Sequence, residues 1–289
     1  SENNLGVGEK HPYHLVDPSP LPFMGSIAGL AMAVGLVFFM HYETKWLLIL
    51  GTIGLLTVMF LWWRQVIIES TEQNAHTPVV ELGLRYGMAL FIASEVMFFV
   101  AFFWAFFGAS LLPKLPVEDY MQTFETMGNV GVWPPKGITT FDPLDVPFLN
   151  TLILLMSGTT CTWAHHAVRE GHRDQAIQAL WITVILGVFF SIMQGIEYYE
   201  AANYYFGFSD GIYPSTFYMA TGFHGFHVMI GTIFLSVCLF RVYKNHFTPD
   251  RHFGLEAAAW YWHFVDVVWL FLFVSIYYWG GLGGTIHGG

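Results

Sequence analysis

Seven long apolar runs divide the chain, at residues 21–40, 46–63, 87–112, 148–164, 176–196, 217–240 and 257–280. Crossing about 30 Å of hydrocarbon at 1.5 Å per residue takes about 20 residues. Most of these runs are apolar all round rather than along one stripe, as lipid and a packed bundle both require. Each is therefore predicted to be a membrane-spanning helix. The second and fourth are short at their strictly apolar limits and are expected to continue through Ile68 and His165. The expected fold is an all-α membrane protein, a single transmembrane domain over 1–289, with residues 1–20 as an inner N-terminal segment. The first run does not have the pattern of a cleavable signal peptide, because polar and proline-bearing residues precede it without a basic leading region.

Orientation is read from lysine and arginine, which accumulate in cytoplasmic loops. With the N-terminus inside, Lys10, Arg64, Arg85, Arg169, Arg173, Arg241, Lys244 and Arg251 are inner, and Lys45, Lys114 and Lys136 are outer. The excess predicts N-terminus in and C-terminus out. The one long connection, 113–147, holds six of the 13 prolines and is expected to be an irregular outer cap. In the first run, Gly25 and Gly29 stand four apart, the spacing that permits close helix approach.

Composition narrows the function. Of 289 residues, 55% are hydrophobic and 11% charged, against about 25% charged in soluble domains. That excludes both an ordinary soluble enzyme and intrinsic disorder. The net charge of −10 gives no basic surface for phosphates, so nucleic acid is excluded as a partner. Cys161 and Cys238 lie far apart in apolar runs and read as small buried hydrophobes, not as a disulfide or metal pair.

Ionisable residues inside hydrocarbon are costly, which makes each one a functional candidate. Glu95 has Phe91, Ile92, Phe98, Phe99 and Phe102 as its helical neighbours. A carboxyl among these residues is expected to stay largely neutral, either as a proton-linked or lipid-facing group or bonded to a neighbouring helix for packing. His224 and His227 share one face of the sixth helix, and His263 and Asp266 share one face of the seventh. Histidines on facing helices can bind haem or metal, with a carboxylate orienting an imidazole. Interhelical hydrogen bonds account for the same residues without a cofactor. His165 and His166 read as a solvated helix end, and Glu197 as more buried than Glu200 at another. At the close of the second helix, Trp62, Trp63, Arg64 and Glu69, followed by His76, can form a phospholipid headgroup site or an ordinary interfacial belt. No lysine lies deep in a helix for a retinal Schiff base, and no self-contained catalytic motif is present.

Several segments resemble one known family in its order: Trp62-Trp63-Arg64, His76-Thr77-Pro78, Leu84 to Met88, Ser94-Glu95-Val96, Phe102 to Phe106, Trp163 to His166, Glu197 to Ala201, Ala220 to His227 and Trp260 to Trp269. They closely resemble the cytochrome c oxidase subunit III family. The resemblance implies two bundles, helices one and two against helices three to seven, around a V-shaped cleft that holds phospholipids. It implies a non-catalytic core subunit of a proton-pumping oxidase that passes electrons from cytochrome c to oxygen. Haem a and copper would then belong to subunits I and II, with no cofactor or metal in this chain. Its role would be to brace subunit I, bind structural lipids, and sustain proton uptake and enzyme lifetime. Carried over by position, the resemblance makes Trp63, Glu69, His76 and Arg241 lipid-headgroup contacts, and Glu95 the intramembrane carboxyl that hydrophobic carbodiimides attack.

Two departures from the mitochondrial form stand out. Ile68 replaces an arginine commonly found beside the lipid-binding glutamate, and the 113–147 loop is longer. The loop points to a bacterial cell membrane rather than the mitochondrial inner membrane. The alternatives are subunit III of a related quinol oxidase, or a stand-alone proton-coupled transporter with Glu95 as carrier. Against the transporter, no inverted repeat or broken helix is evident.

Overall fold

A computed structural model describes residues 14–73, 75–113, 133–135, 138–282 and 285–286. Among the described residues seven helices follow in order: α1 (Leu21–Tyr42), α2 (Trp46–Thr71), α3 (Pro78–Leu111), α4 (Val146–Arg169), α5 (Arg173–Glu200), α6 (Ile212–Tyr243) and α7 (Phe253–Leu272). α5 and α7 run on into the wider π turns Ala201–Tyr205 and Phe273–Trp279. Two short strands, β1 (Thr139–Thr140) and β2 (Thr285–Ile286), pair in parallel, with Thr139 beside Thr285. Residues 1–13 and most of the predicted 113–147 cap lie outside the described residues, and with them Lys10, Lys114 and Lys136.

Among the described residues, six helices are long and apolar enough to cross a membrane, and α4 is not among them. Its polar residues explain the shortfall, and Thr151, Ser157 and Thr160 find partners inside the protein, whereas Asn150 is buried with neither side-chain atom hydrogen-bonded among the described residues. Trp269 donates its ring N–H to Thr151 Oγ1 at 2.9 Å, and Trp262 donates to Ser157 Oγ at 3.0 Å. Ser157 in turn donates to the Thr183 carbonyl at 3.2 Å, and the Thr160 and Thr183 hydroxyls stand 2.8 Å apart. Polar groups are tolerated at membrane depth when other helices satisfy them.

Helix ends overrun the apolar runs because hydropathy marks the lipid-crossing part, not the whole helix. α3 begins at Pro78, nine residues ahead of the run that opens at 87. Proline suits the first helical position, and the Thr77 hydroxyl takes the Val80 amide at 3.4 Å as a cap. At the far end of α6, Arg173 donates to the Val242 and Tyr243 carbonyls at 3.2 and 2.9 Å, satisfying groups that a helix C-terminus leaves open.

The chain divides into two compact units, 1–86 and 87–289. In the first, α1 and α2 form an antiparallel hairpin zipped by glycine. A Cβ on Gly35 would strike the backbone of Leu47 and Leu48, and one on Gly51 the backbone of Ala31 and Met32. Gly54 continues the seam tightly, with a built Cβ 3.3 Å from that of Ala28, and Gly25 does so at 3.4 Å from Val58. Gly29, the other half of the predicted close-approach pair, has nothing within 4 Å of a built Cβ. The close approach is real but is made by Gly35 and Gly51.

In the second unit, α4 to α7 enclose a core centred on Trp262, Trp269, Phe190 and Phe217, all essentially buried. α3 joins that core through side chains rather than close backbone. Its Phe98 meets Phe223 at 5.0 Å between ring centres, Phe99 meets Phe264 at 5.9 Å, and Phe91 meets Tyr261 at 6.4 Å. Cys161 and Cys238 are buried and free.

Candidate functional site

The isolated-looking Glu95 has a partner on another helix. Its Oε2 lies 2.9 Å from His227 Nε2 on α6. The second nitrogen of that ring, Nδ1, lies 2.6 Å from the Phe223 carbonyl. A carbonyl only accepts, so Nδ1 carries a hydrogen. One further proton is then shared between His227 Nε2 and the Glu95 carboxyl, and the pair is neutral as a whole wherever that proton sits. The expected neutral carboxyl is thus a neutral pair. Phe99 and Phe98 pack on the imidazole at 5.0 and 6.1 Å between ring centres.

The other helix histidines do not converge with it. His224 is fully buried, with Nε2 3.1 Å from the Val265 carbonyl and its ring against Trp269 at 5.1 Å and Phe190 at 5.8 Å. His263 Nε2 lies 3.1 Å from Thr162 Oγ1, a hydroxyl also placed to donate to the Gly158 carbonyl. Its Nδ1 faces Asp266 Oδ2 at 3.6 Å. The predicted orienting carboxylate is therefore beside its imidazole. Close to Asp266, Gly158 leaves the room its carboxyl needs, since a Cβ there would strike Oδ2.

A further buried carboxyl, Glu197, is bonded by Tyr277 from the π turn of α7 and by Gln194 Nε2 at 3.2 Å. Glu197 is buried and Glu200 only partly, as the sequence suggested. Its tyrosine partner, 80 residues away, left no local signal.

At the end of α2 the candidate headgroup residues separate into exposed and buried members. Trp63 is 61% exposed, as a residue in contact with lipid would be. Glu69 is 8% exposed and takes a hydrogen bond from Gln65 Nε2 at 3.3 Å. His14 was not singled out by sequence, yet its Nε2 stands 3.8 Å from Glu69 Oε2, and its ring meets that of His76 edge-on at 5.5 Å. Among the described residues, His14, Glu69 and His76 gather three metal-capable donor atoms within 4.8 Å of one another. In the other unit, Arg241 occupies the last turn of α6, half-buried, with its guanidinium 4.3 Å over the Phe247 ring. Its Nε is buried and has no hydrogen-bond partner among the described residues.

Long apolar helices whose interior polar groups bond from one helix to the next define an integral membrane protein. Residues 11–281 match the cytochrome c oxidase subunit III family. The chain is 59% identical over 279 residues to cytochrome c oxidase subunit 3 of Marchantia polymorpha, covering 96% of this chain and 100% of the relative. It is 56% identical to the Gadus morhua protein and 57% to that of Oncorhynchus mykiss, each under the same name, over 94% of this chain and 98% of the relative. The chain belongs to the cytochrome c oxidase subunit III family and is a subunit of that oxidoreductase complex.

Proposed function

We propose that this chain is a non-catalytic, bracing subunit, working as one transmembrane domain of an oxidase that passes electrons from cytochrome c to oxygen and pumps protons. Haem a and copper reside in subunits I and II, its partners in the membrane, with subunit I the main contact. The observation that carries this reading is that His224, His227 and His263 each take a different protein partner, Val265, Glu95 and Thr162. Imidazoles committed in this way hold helices together, and none of them points with another toward a common ligand. The family's arrangement of helices one and two against three to seven, around a lipid-holding cleft, belongs to the same reading.

Phospholipid headgroups are bound by Trp63, Glu69 and His76 in one unit and by Arg241 in the other. An exposed tryptophan about two turns before the end of α2 and a half-buried guanidinium with a spare N–H support this. The excess of lysine and arginine on one side supports a cytoplasmic N-terminus and an outer C-terminus, and the length of the 113–147 segment supports a bacterial cell membrane.

Detaching this chain from the purified complex with detergent tests the reading. The detached chain should be colourless. The remainder should keep its haem spectrum and initial rate, lose activity sooner during turnover and take up protons more slowly. Haem absorbance that follows this chain, or an unchanged lifetime and uptake, would contradict it. In the same preparation Arg241→Ala should retain less phospholipid, and equal retention would remove Arg241 from the headgroup set.

A further inference from the structure

The end of α2 gathers chemistry that bracing does not use. His14 comes from the segment ahead of α1, Glu69 from the last turns of α2, and His76 from the connection into α3. We propose that these three side chains form a binding site for a divalent transition-metal ion of the zinc class. Two imidazole nitrogens and one carboxylate oxygen are a set that zinc accepts, with a fourth position left to water. Calcium and magnesium want six or more oxygens, and two of these three donors are nitrogen.

The geometry needs only local closure. Zinc–ligand bonds of about 2.0–2.2 Å put tetrahedral donors about 3.3 Å apart, and the three donors already lie within 4.8 Å of one another. His14 stands outside any helix with a side chain 35% exposed, so it is free to move inward. Glu69 is already oriented, since Gln65 holds Oε1 at 3.3 Å and leaves Oε2 toward His14. A hydrogen bond of that kind to a ligand fixes its orientation and raises affinity. A bound ion would tie the segment entering α1 to the end of α2 and to the α2–α3 connection. It is a structural clasp and not a redox centre. While the ion is bound, Glu69 and His76 are its ligands and headgroup contact in this unit falls to Trp63, so the clasp competes with headgroup binding for these two side chains.

The test uses the intact purified oxidase, treated with chelator and then equilibrated with zinc ion alone. Bound zinc is counted by mass spectrometry in the wild type, His14→Ala and Glu69→Gln. Each variant should hold one zinc fewer per complex than the wild type. The difference X-ray absorption signal should report nitrogen and oxygen ligands at about 2.0–2.2 Å. His14→Ala changes no helix residue, so it removes a ligand without disturbing the bundle, and its bound phospholipid should be no lower than that of the wild type. Equal zinc in the wild type and His14→Ala overturns the site. Loss of phospholipid together with zinc in His14→Ala also overturns it, because His14 would then serve a headgroup.

Discussion

The α1–α2 hairpin and the 87–289 bundle solve the same problem by opposite means. In lipid, apolar side chains gain little by meeting one another, so helices associate through close packing and hydrogen bonds. The hairpin uses the first: Gly35 and Gly51 bring two backbones into direct contact. The bundle uses the second: Trp262 to Ser157, Trp269 to Thr151 and Glu95 to His227 cross from helix to helix. The hairpin's glycines meet backbone, whereas those of the bundle, Gly158, Gly187 and Gly231, make room for the side chains of Asp266 and Trp262, so the bundle is sensitive to the loss of a donor as well as to added volume.

The largest effect is expected in the hairpin. Gly51→Leu would drive side-chain atoms into the α1 backbone and should destabilise it by about 3 kcal/mol, seen as loss of the chain from the assembled complex. Gly29→Leu, on the same hairpin but in open space, should leave assembly unchanged. Equal damage from both would mean that bulk anywhere on these helices is harmful and the seam is not special. In the bundle, Trp262→Phe removes a donor from Ser157 and leaves a gap in a fully buried place. The expected cost is about 2 kcal/mol, read as a lower temperature for release of the chain from the purified complex. His227→Phe keeps the ring volume and removes the bond to Glu95, for about 1 kcal/mol. It should also raise carbodiimide labelling of Glu95, since the whole proton then sits on the carboxyl. Unchanged labelling would mean that the imidazole does not share it.

Apolar runs marked every helix, because lipid imposes its demand residue by residue. The ends were less legible. The start of α3 contains Glu81 and Arg85, which break the apolar run, and the Thr77-Pro78 cap that marks it was not used in placing the helix from 87. α4 was marked by its run although Asn150, Thr151 and Ser157 lower its hydropathy, and that these three are hidden among other helices is a fact no local window contains. Site residues were found singly, and only the pairing of His263 with Asp266, three positions apart on one helix, was legible, while pairings between helices were not. Glu95 and His227 stand 132 positions apart. Each was conspicuous as a polar residue in an apolar helix, but their meeting depends on how α3 and α6 face each other. His14 was missed because it lies outside the apolar runs, and Glu69 and His76 alone did not suggest a third member.

The most direct measurement is a double-mutant cycle on the bond that holds α3 to α6. The temperature at which the chain leaves the purified complex would be compared for the wild type, Glu95→Gln, His227→Phe and the double variant. If the two residues act as one neutral pair, each single change lowers that temperature and the double change lowers it little further. Proton translocation should keep its stoichiometry in Glu95→Gln. Additive losses, or a Glu95→Gln complex that assembles normally and pumps fewer protons, would show that Glu95 works in proton transfer rather than in holding helices together.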